Sequence, residues 1–297
     1  MTFSLAHPPT TYLKTFLDPL VLTYSSRRYL PTDPLVVVHG YQSPEDQEIV
    51  AFLATALAYG RVDSIIRSTR DVLARFGTSP ARFVRNFDPN GDLKRFEGWK
   101  HRFNTARDVG LLMLGFRQIL AKYGSLQSFF TVGYDRCAHT SIQIALESFC
   151  TRFLALDFSE ITQEKELGSK EGVRWFFSSP ESKSACKRLN LFLRWVVRSG
   201  ELDLGLWTEI SPGHLIMPVD THIARIATYL GLTRRSTVNF RMAQEITDNL
   251  RLLCPQDPIR YDWALCRLGI LAECPRRRHP ERCRQCSLFP VCQAGVT

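Results

Sequence analysis

The sequence has no run of eighteen apolar residues, so we do not expect the chain to cross a membrane. Residues 1–9 contain no charged segment followed by an apolar one, and we therefore expect no export signal and a cytoplasmic protein. Internal repeats, low-complexity segments and convincing alternating strand patterns are also missing. The chain is accordingly predicted to be all-α.

Acidic residues are fewer than basic ones, 29 against 38, which gives a formal net charge of +9. This surplus favours a polyanionic partner such as a nucleic acid. A hydrophobic content of 44% and a charged content of 23% are typical of a globular protein, and 297 residues suffice for a large buried core. We expect a monomer of one large or two small domains.

The C-terminal stretch contains four of the nine cysteines: Cys274, Cys283, Cys286 and Cys292. They are separated by eight, two and five residues. Converging thiolates suit either zinc or an iron–sulfur cluster. Structural zinc sites more often pair two Cys-x-x-Cys knuckles, whereas this stretch has one knuckle flanked by two single cysteines. The other five cysteines lack regular spacing and are expected to be free thiols.

A very basic loop lies between and just after the first two of these cysteines, with Arg276, Arg277, Arg278, Arg282 and Arg284. The forked donors of guanidinium groups match phosphate oxygens. We predict that this loop contacts nucleic-acid phosphates; the alternative is a solvated charge run.

A helix is predicted from Glu181 to Arg198, and it has two distinct sides. One side is basic and falls within about 60° on a helical wheel, with Lys183, Lys187, Arg194 and Arg198. The opposite side is apolar and is expected to face the core, with Ala185, Leu189, Phe192 and Val196. The basic side is predicted to contact phosphates, and a solvated face is the alternative.

Other segments have simpler interpretations. The Ser43-Pro-Glu-Asp start predicts a helix that stops at Gly60, and a second helix is expected from Val62 to Phe76. The run 34–39 is expected to be extended, and the polar segment 157–179 is expected to be a loop or mobile insertion.

Two phrases carry a resemblance to a known superfamily. Pro218-Val-Asp-Thr-His222, then Tyr261-Asp-Trp-Ala-Leu-Cys-Arg-Leu-Gly269 and the four cysteines, resemble the C-terminal half of endonuclease III-type helix-hairpin-helix DNA glycosylases. Iron–sulfur members of that superfamily have cysteine gaps of six, two and five, whereas the first gap here is eight. Phrases such as Leu57-Ala-Tyr-Gly60 and Ser184-Ala-Cys-Lys-Arg-Leu-Asn-Leu-Phe-Leu-Arg-Trp195 are similar to an uncharacterised bacterial branch, a domain of unknown function.

The resemblance implies a two-lobed glycosylase-like fold, in which an inserted lobe, 44–204, interrupts a lobe formed by 1–43 and 205–297. It implies a base-excision glycosylase that acts on damaged or abasic duplex DNA, with a structural 4Fe–4S cluster on the four cysteines and zinc as the alternative. Asp220 would be the catalytic carboxylate. His222 would support the helix start or contact phosphate.

Bifunctional members of the superfamily also use a lysine that forms a Schiff base. Lys183 is the better positional match and Lys187, one turn later, is the alternative, although the family's Gly-rich hairpin is absent here. A monofunctional enzyme that uses water stays open. The family's gap-filling glutamine is also absent; Tyr59 or Arg61 could replace it, or Tyr59 could be a core residue.

Two other classes of function stay open. One is a non-catalytic iron–sulfur protein that binds nucleic acid or senses redox state. The other is an enzyme that acts on RNA or on free nucleosides, since a basic surface does not distinguish these substrates from DNA.

Overall fold

The computed structural model describes residues 10–294 and is predominantly helical, which confirms the all-α prediction at that level. None of the helices in this range is long and apolar enough to cross a membrane. Residues 1–9, on which the expectation about an export signal rests, lie outside the described residues.

The first ten helices, in chain order, are α1 (Thr10–Tyr24), α2 (Leu35–Val38), α3 (Pro44–Ala56), α4 (Val62–Ala74), α5 (Pro80–Arg85), α6 (Pro89–Asp92), α7 (Ala106–Tyr123), α8 (Leu126–Thr131), α9 (Gln143–Leu154) and α10 (Ser159–Thr162). They are followed by α11 (Lys187–Val197), α12 (Thr221–Tyr229), α13 (Phe240–Leu253), α14 (Asp262–Ile270) and α15 (Pro280–Gln285). The two strands between α6 and α7, β1 (Lys100–His101) and β2 (Asn104–Thr105), form one short antiparallel hairpin.

Short 3₁₀ helices occupy several of the connections between these elements. They are Arg27–Thr32, Leu93–Phe96, Gly172–Phe177, Pro180–Ser182, Pro212–His214, Pro258–Tyr261 and Phe289–Val291.

The helices pack in a pattern that joins the two ends of the chain. α1 packs against α13 and α14, and α12 packs against α14. In the middle of the chain α3 packs against α11 and α5, and α7 packs against α5 and α8. The buried apolar side chains of both groups belong to one continuous core.

The two helices predicted after Ser43 are confirmed. Pro44 occupies the first turn of α3, where its missing N–H leaves no helical hydrogen bond unmade. The turn between α3 and α4 depends on Gly60, whose φ of +98° is a conformation that side-chain-bearing residues rarely adopt.

The segment 34–39 is helical rather than extended, which corrects the prediction. Asp33 accepts a hydrogen bond from the Leu35 N–H at 3.0 Å and so caps α2, while Leu35 and Val38 are completely buried. The β-branched run favoured a strand by propensity, but capping and burial outweigh a preference of this size.

The polar segment 157–179 contains more structure than a mobile insertion would have. It includes α10 and the 3₁₀ helix Gly172–Phe177. Phe176 and Phe177 are buried, and the ring of Phe177 stacks on that of Phe153 with centroids 3.6 Å apart. These rings anchor the segment to the core.

The helix predicted from Glu181 to Arg198 is shorter, because α11 begins only at Lys187. Lys183 and Cys186 have left-handed backbone conformations, with φ of +60° and +50°, which interrupt the helix. The apolar side is nevertheless buried as predicted.

The two arginines on the basic side of α11 do not face solvent, so the prediction that Arg194 and Arg198 contact DNA phosphates is corrected. Arg194 is 2% exposed and donates to Asp262 at 2.6 Å and to Asp203 at 3.0 Å. Arg198 pairs with Asp257 at 2.8 Å and also donates to Asp203. The three carboxylates lie in sequence just after α11 (Asp203), just before α14 (Asp257) and at its first residue (Asp262). They bind both guanidinium groups inside the protein.

The electrostatics agree with this arrangement. Burial by itself lowers the pKa of the Arg194 guanidinium, but the charges of Asp203 and Asp262 raise that pKa overall. Arg194 is therefore a charged group inside the protein, and both carboxylates stabilise its charged form.

Substitution of Arg194 by leucine is expected to destabilise the protein by about 3–5 kcal/mol, because two buried carboxylates lose their shared cation. The free energy of unfolding, measured by urea denaturation, tests this value. Arg70→Leu on the exposed side of α4 is the control and should change stability by about 0.5 kcal/mol or less. Equal midpoints for the two variants would contradict the structural role of Arg194.

Candidate functional site

A cleft of about 850 Å³ opens between several segments. They include the turn 58–61 after α3, the start of α4, the β1–β2 hairpin, the 3₁₀ helix Gly172–Phe177, α11, the first turn of α12 and one side of α14. Its volume is within the usual range for small-ligand sites.

Asp220 lines this cleft at the N-terminus of α12. Its Oδ1 accepts hydrogen bonds from the backbone N–H groups of His222 and Ile223, both at 2.8 Å. These donors would otherwise have no partner in the first helical turn. Oδ2 makes no hydrogen bond to any residue of the described chain, so one carboxylate oxygen remains available to a ligand.

The structure separates the two predicted lysines. Lys187 is half-buried at the start of α11, lines the cleft with Asp220, and donates from Nζ to the Ala58 carbonyl at 3.1 Å. Lys183 is exposed at the end of a 3₁₀ helix and is not among the cleft-lining residues. Of these two lysines, Lys187 therefore shares the cleft with Asp220 and Lys183 does not.

His222 also lines the cleft, and its ring packs tightly against α14. A Cβ atom at Gly269 would lie only 2.5 Å from the ring Nδ1 of His222. This Nδ1 is buried and has no hydrogen-bond partner within residues 10–294. Packing of His222 on Gly269 holds α12 close to α14, which supports the helix start that bears Asp220.

The buried residues Asp33, Arg194 and Asp262, together with the thiol of Cys266, line the inner wall of the cleft. Asp33 pairs with Arg267 at 2.7 Å, and Arg194 pairs with Asp262. Burial, with the nearby charge of Asp220 as a smaller cause, raises the pKa of the Cys266 thiol to about 12. Cys266 is therefore a protonated and unreactive neighbour of Asp220 at neutral pH.

Tyr59 supports the hairpin rather than projecting freely into the cleft. Its hydroxyl donates to Asn104 Oδ1 at 2.5 Å and lies 2.9 Å from the His101 carbonyl oxygen. The alternative of a packed Tyr59 fits these contacts. Arg61 is the other residue that could replace the family's gap-filling glutamine. Its side chain is exposed on the rim of the cleft.

Phe103 and Trp175 are cleft residues that the sequence interpretation missed. Their exposed fractions are 77% and 66%, and both line the same cleft as Asp220. Phe103 is at the tip of the hairpin, which is too short to give an alternating strand pattern. Trp175 lies in the segment interpreted as a loop; a large aromatic residue within a polar stretch was the available signal.

The four C-terminal cysteines lie on a segment that is tied to α12. Arg225 donates to the Cys274 carbonyl at 3.0 Å, and Tyr229 donates to the Arg276 carbonyl at 2.9 Å. Burial raises the pKa of the Cys274 thiol, against the lowering effect of the Arg225 cation, and burial also raises the pKa of the Cys286 thiol. The segment that carries the four thiols is held against α12 by the contacts of Arg225 and Tyr229.

The cysteine side chains are not arranged as a closed metal site. In the part of the chain that the structure describes, no group of three or more His, Cys, Asp or Glu side chains is positioned to hold a metal ion. All four thiols are partly exposed, and no disulfide joins them. The donor set and the anchored segment are compatible with a soft metal or a cluster.

The predicted basic loop is exposed. Each of its five arginines is at the surface: Arg276, Arg277, Arg278, Arg282 and Arg284. None of them lines the cleft. They form a separate cationic surface on the cysteine segment.

Comparison with known proteins gives one match. A model of the family described as a protein of unknown function, DUF2400, matches residues 33–271. No curated protein and no solved structure matches the chain. The matched range includes every residue that lines the cleft and ends before the four cysteines.

The hairpin beside the cleft is expected to weaken in acid because His101 is a neutral part of it. His101 accepts from or donates to Ser68 Oγ at 2.9 Å and faces the Tyr59 carbonyl at 3.3 Å. Burial lowers the pKa of His101. Its contribution to stability is therefore present above the unfolded-state pKa of about 6.5 and is lost as the pH falls through the lower folded-state pKa.

Urea denaturation of the wild type and of His101→Gln between about pH 8 and pH 5 measures this effect. The difference in unfolding free energy between the two proteins should shrink on acidification. A difference that stays constant or grows would show that the folded state does not favour neutral His101.

Proposed function

The chain belongs to the DUF2400 family, and from the residues of its cleft we propose that it is a DNA base-excision glycosylase. The observation that carries the proposal is Asp220, a helix-capping carboxylate with one free oxygen in a ligand-sized cleft. The resemblance of Pro218-Val-Asp-Thr-His222 to endonuclease III-type enzymes supports the same role. We propose that it acts as a cytoplasmic monomer with two lobes, on either side of the cleft.

Asp220 would stabilise the positive charge that develops on the sugar when an N-glycosidic bond breaks. Glycosyl transfer builds such charge at the anomeric carbon, and a fixed anion beside that carbon lowers the barrier. Hydrogen bonds to Oδ1 orient the carboxylate in advance, because the two backbone donors belong to the rigid first turn of α12. Oδ2 would then face the sugar or the attacking nucleophile.

A base inside a duplex cannot reach such a carboxylate, so the nucleotide must leave the stack. The cleft of about 850 Å³ has room for a base and its sugar. Its walls combine apolar side chains with a few polar groups, as small-molecule sites do.

Lys187 would be the nucleophile if the enzyme is bifunctional. Its amine would attack C1′ as the bond to the base breaks, and the base would leave with a proton. Cleavage of the C1′–O4′ bond, with O4′ taking up the proton that the nitrogen loses, would then open the sugar ring and give the Schiff base that permits strand cleavage by elimination. The position of Lys187 in the cleft supports this assignment over Lys183.

The C-terminal segment would bind a 4Fe–4S cluster through Cys274, Cys283, Cys286 and Cys292. The number and spacing of the thiols support the assignment. When bound, the cluster would serve a structural role, since Arg225 and Tyr229 tie this segment to the helix that Asp220 caps. Zinc is the alternative occupant.

DNA phosphates would contact the exposed arginines of the cysteine segment. Arg194 and Arg198, which were also predicted to contact phosphates, are bound by carboxylates, so the exposed arginines are the remaining candidates. A rigid cluster-bound loop would hold these cations in fixed positions for the backbone.

Asp220→Asn is expected to reduce base release by at least about 100-fold, because the amide cannot stabilise the developing cation. The assay follows release of bases from oligonucleotides that contain a panel of damaged bases. Asp71→Asn, an exposed carboxylate on α4, is the control and should retain full activity. Tight binding without release from any substrate would instead favour a non-catalytic nucleic-acid-binding protein.

Borohydride trapping distinguishes the two lysines. If the enzyme forms a Schiff base through Lys187, the covalent adduct should disappear in Lys187→Gln and persist in Lys183→Gln, which lies outside the cleft. The opposite pattern would refute the assignment to Lys187. Base release without any adduct in the wild type would identify a monofunctional enzyme.

Protein purified without oxygen is expected to contain about four iron and four sulfide ions per chain. Cys286→Ser should lower this content strongly, whereas Cys137→Ser, an exposed cysteine outside the segment, should leave it unchanged. Metal analysis and visible absorption report the result. One zinc ion per chain in place of iron would contradict the cluster.

A further inference from the structure

Three of the residues that line the cleft have large exposed apolar side chains. Phe103 is 77% exposed, Trp175 is 66% exposed and Val238 is 42% exposed, and all three line the cleft. Water-exposed aromatic surface that is concentrated at one site is typical of a binding surface. The entrance to the proposed active site is therefore more apolar than its charged inner wall.

Phe103 is held on a rigid support. It occupies a two-residue turn between His101 and Asn104, and the preceding Arg102 has a φ of +52°. The Arg102 guanidinium packs against Gly60, where a Cβ atom would lie 3.0 Å from Nη1. Backbone conformations of this kind persist where the surroundings impose them, and they are common at ligand sites.

Trp175 is fixed through its backbone. Its carbonyl accepts a hydrogen bond from Arg188, and Arg188 also donates to the Ala56 carbonyl at 3.0 Å. The next two residues, Phe176 and Phe177, are buried in the core. The indole ring is therefore left in solvent by a segment that is itself firmly packed.

The charges around these rings suit a single strand better than a duplex. Arg61 and Arg102 are exposed near the aromatic side chains, whereas Arg194 and Arg198 of α11 are bound by carboxylates. Aromatic side chains beside cations are the usual means of binding unpaired strands. Bases inside a paired stack do not offer their faces to protein rings.

We propose that the cleft mouth binds single-stranded DNA, with Phe103 and Trp175 stacking on its bases. The substrate class of the proposed enzyme is then a base in an unpaired strand rather than one in an intact duplex. This inference rests on the proposed function for the reaction, but the binding step does not require catalysis.

Trp175 provides its own probe. The chain has five tryptophans, and the other four, Trp99, Trp195, Trp207 and Trp263, are at most 3% exposed. The test titrates Asp220→Asn protein with an undamaged single-stranded DNA of mixed sequence, with the same sequence as duplex, and with the same sequence as single-stranded RNA. Fluorescence quenching reports stacking on Trp175, and fluorescence anisotropy of labelled oligonucleotide reports affinity.

Single-stranded DNA is expected to bind most tightly and to quench the fluorescence. Phe103→Ala and Trp175→Ala should each weaken its binding by about 5- to 150-fold, the usual loss for one base–aromatic stack. Trp175→Phe should retain most of the affinity because it keeps a ring. Leu252→Ala, at a side chain that is 69% exposed away from the cleft, is the matched control and should not change binding.

Tighter binding of duplex or of RNA would overturn the proposal, as would full affinity in both alanine variants. The result is separable from that of the proposed function. If single strands bind through Phe103 and Trp175 but no base is released, the binding site is supported and the proposed glycosylase activity is contradicted. If bases are released from duplex alone and Phe103→Ala has no effect, the proposed activity is supported and the single-strand site is contradicted.

Discussion

The pairing of buried arginines with carboxylates is the constraint on which the cleft depends. Arg194 of α11 binds Asp203 and Asp262, and Arg267 of α14 binds Asp33. The guanidinium groups of both arginines lie over the ring of Trp263. Because buried charges are tolerated only when they are paired, these contacts hold three distant parts of the chain in one relative position. Three of these residues, Asp33, Arg194 and Asp262, also line the cleft.

A second set of contacts connects the cysteine segment to the same region. Arg225 and Tyr229 of α12 bind backbone carbonyls of that segment, while the N-terminus of α12 is capped by Asp220. His222 packs on Gly269 of α14 and limits how far α12 can shift. The position of the proposed catalytic carboxylate therefore depends on contacts on both sides of α12 as well as on the helix cap.

Local sequence signals predicted the elements whose structure is decided locally. The start of α3 after Ser43, the cap at Asp220 and the apolar side of α11 follow from capping and periodicity. The burial of Arg194 was not predictable in this way. A helical wheel shows which residues share a side of a helix but not which partner covers that side. The same limit applies to Phe103 and Trp175, whose exposure at one cleft results from packing of the Tyr59 and Arg188 side chains.

The pairing of Asp33 with Arg267 joins residues 234 positions apart. α1 likewise packs on α13 and α14, which follow it by more than 200 residues. At about 5–20 residues per second, synthesis of the 234 residues from Asp33 to Arg267 takes roughly 12–47 s. During that interval α1 lacks the apolar surfaces of α13 and α14, so aggregation through its uncovered side has to be avoided before the cleft can form.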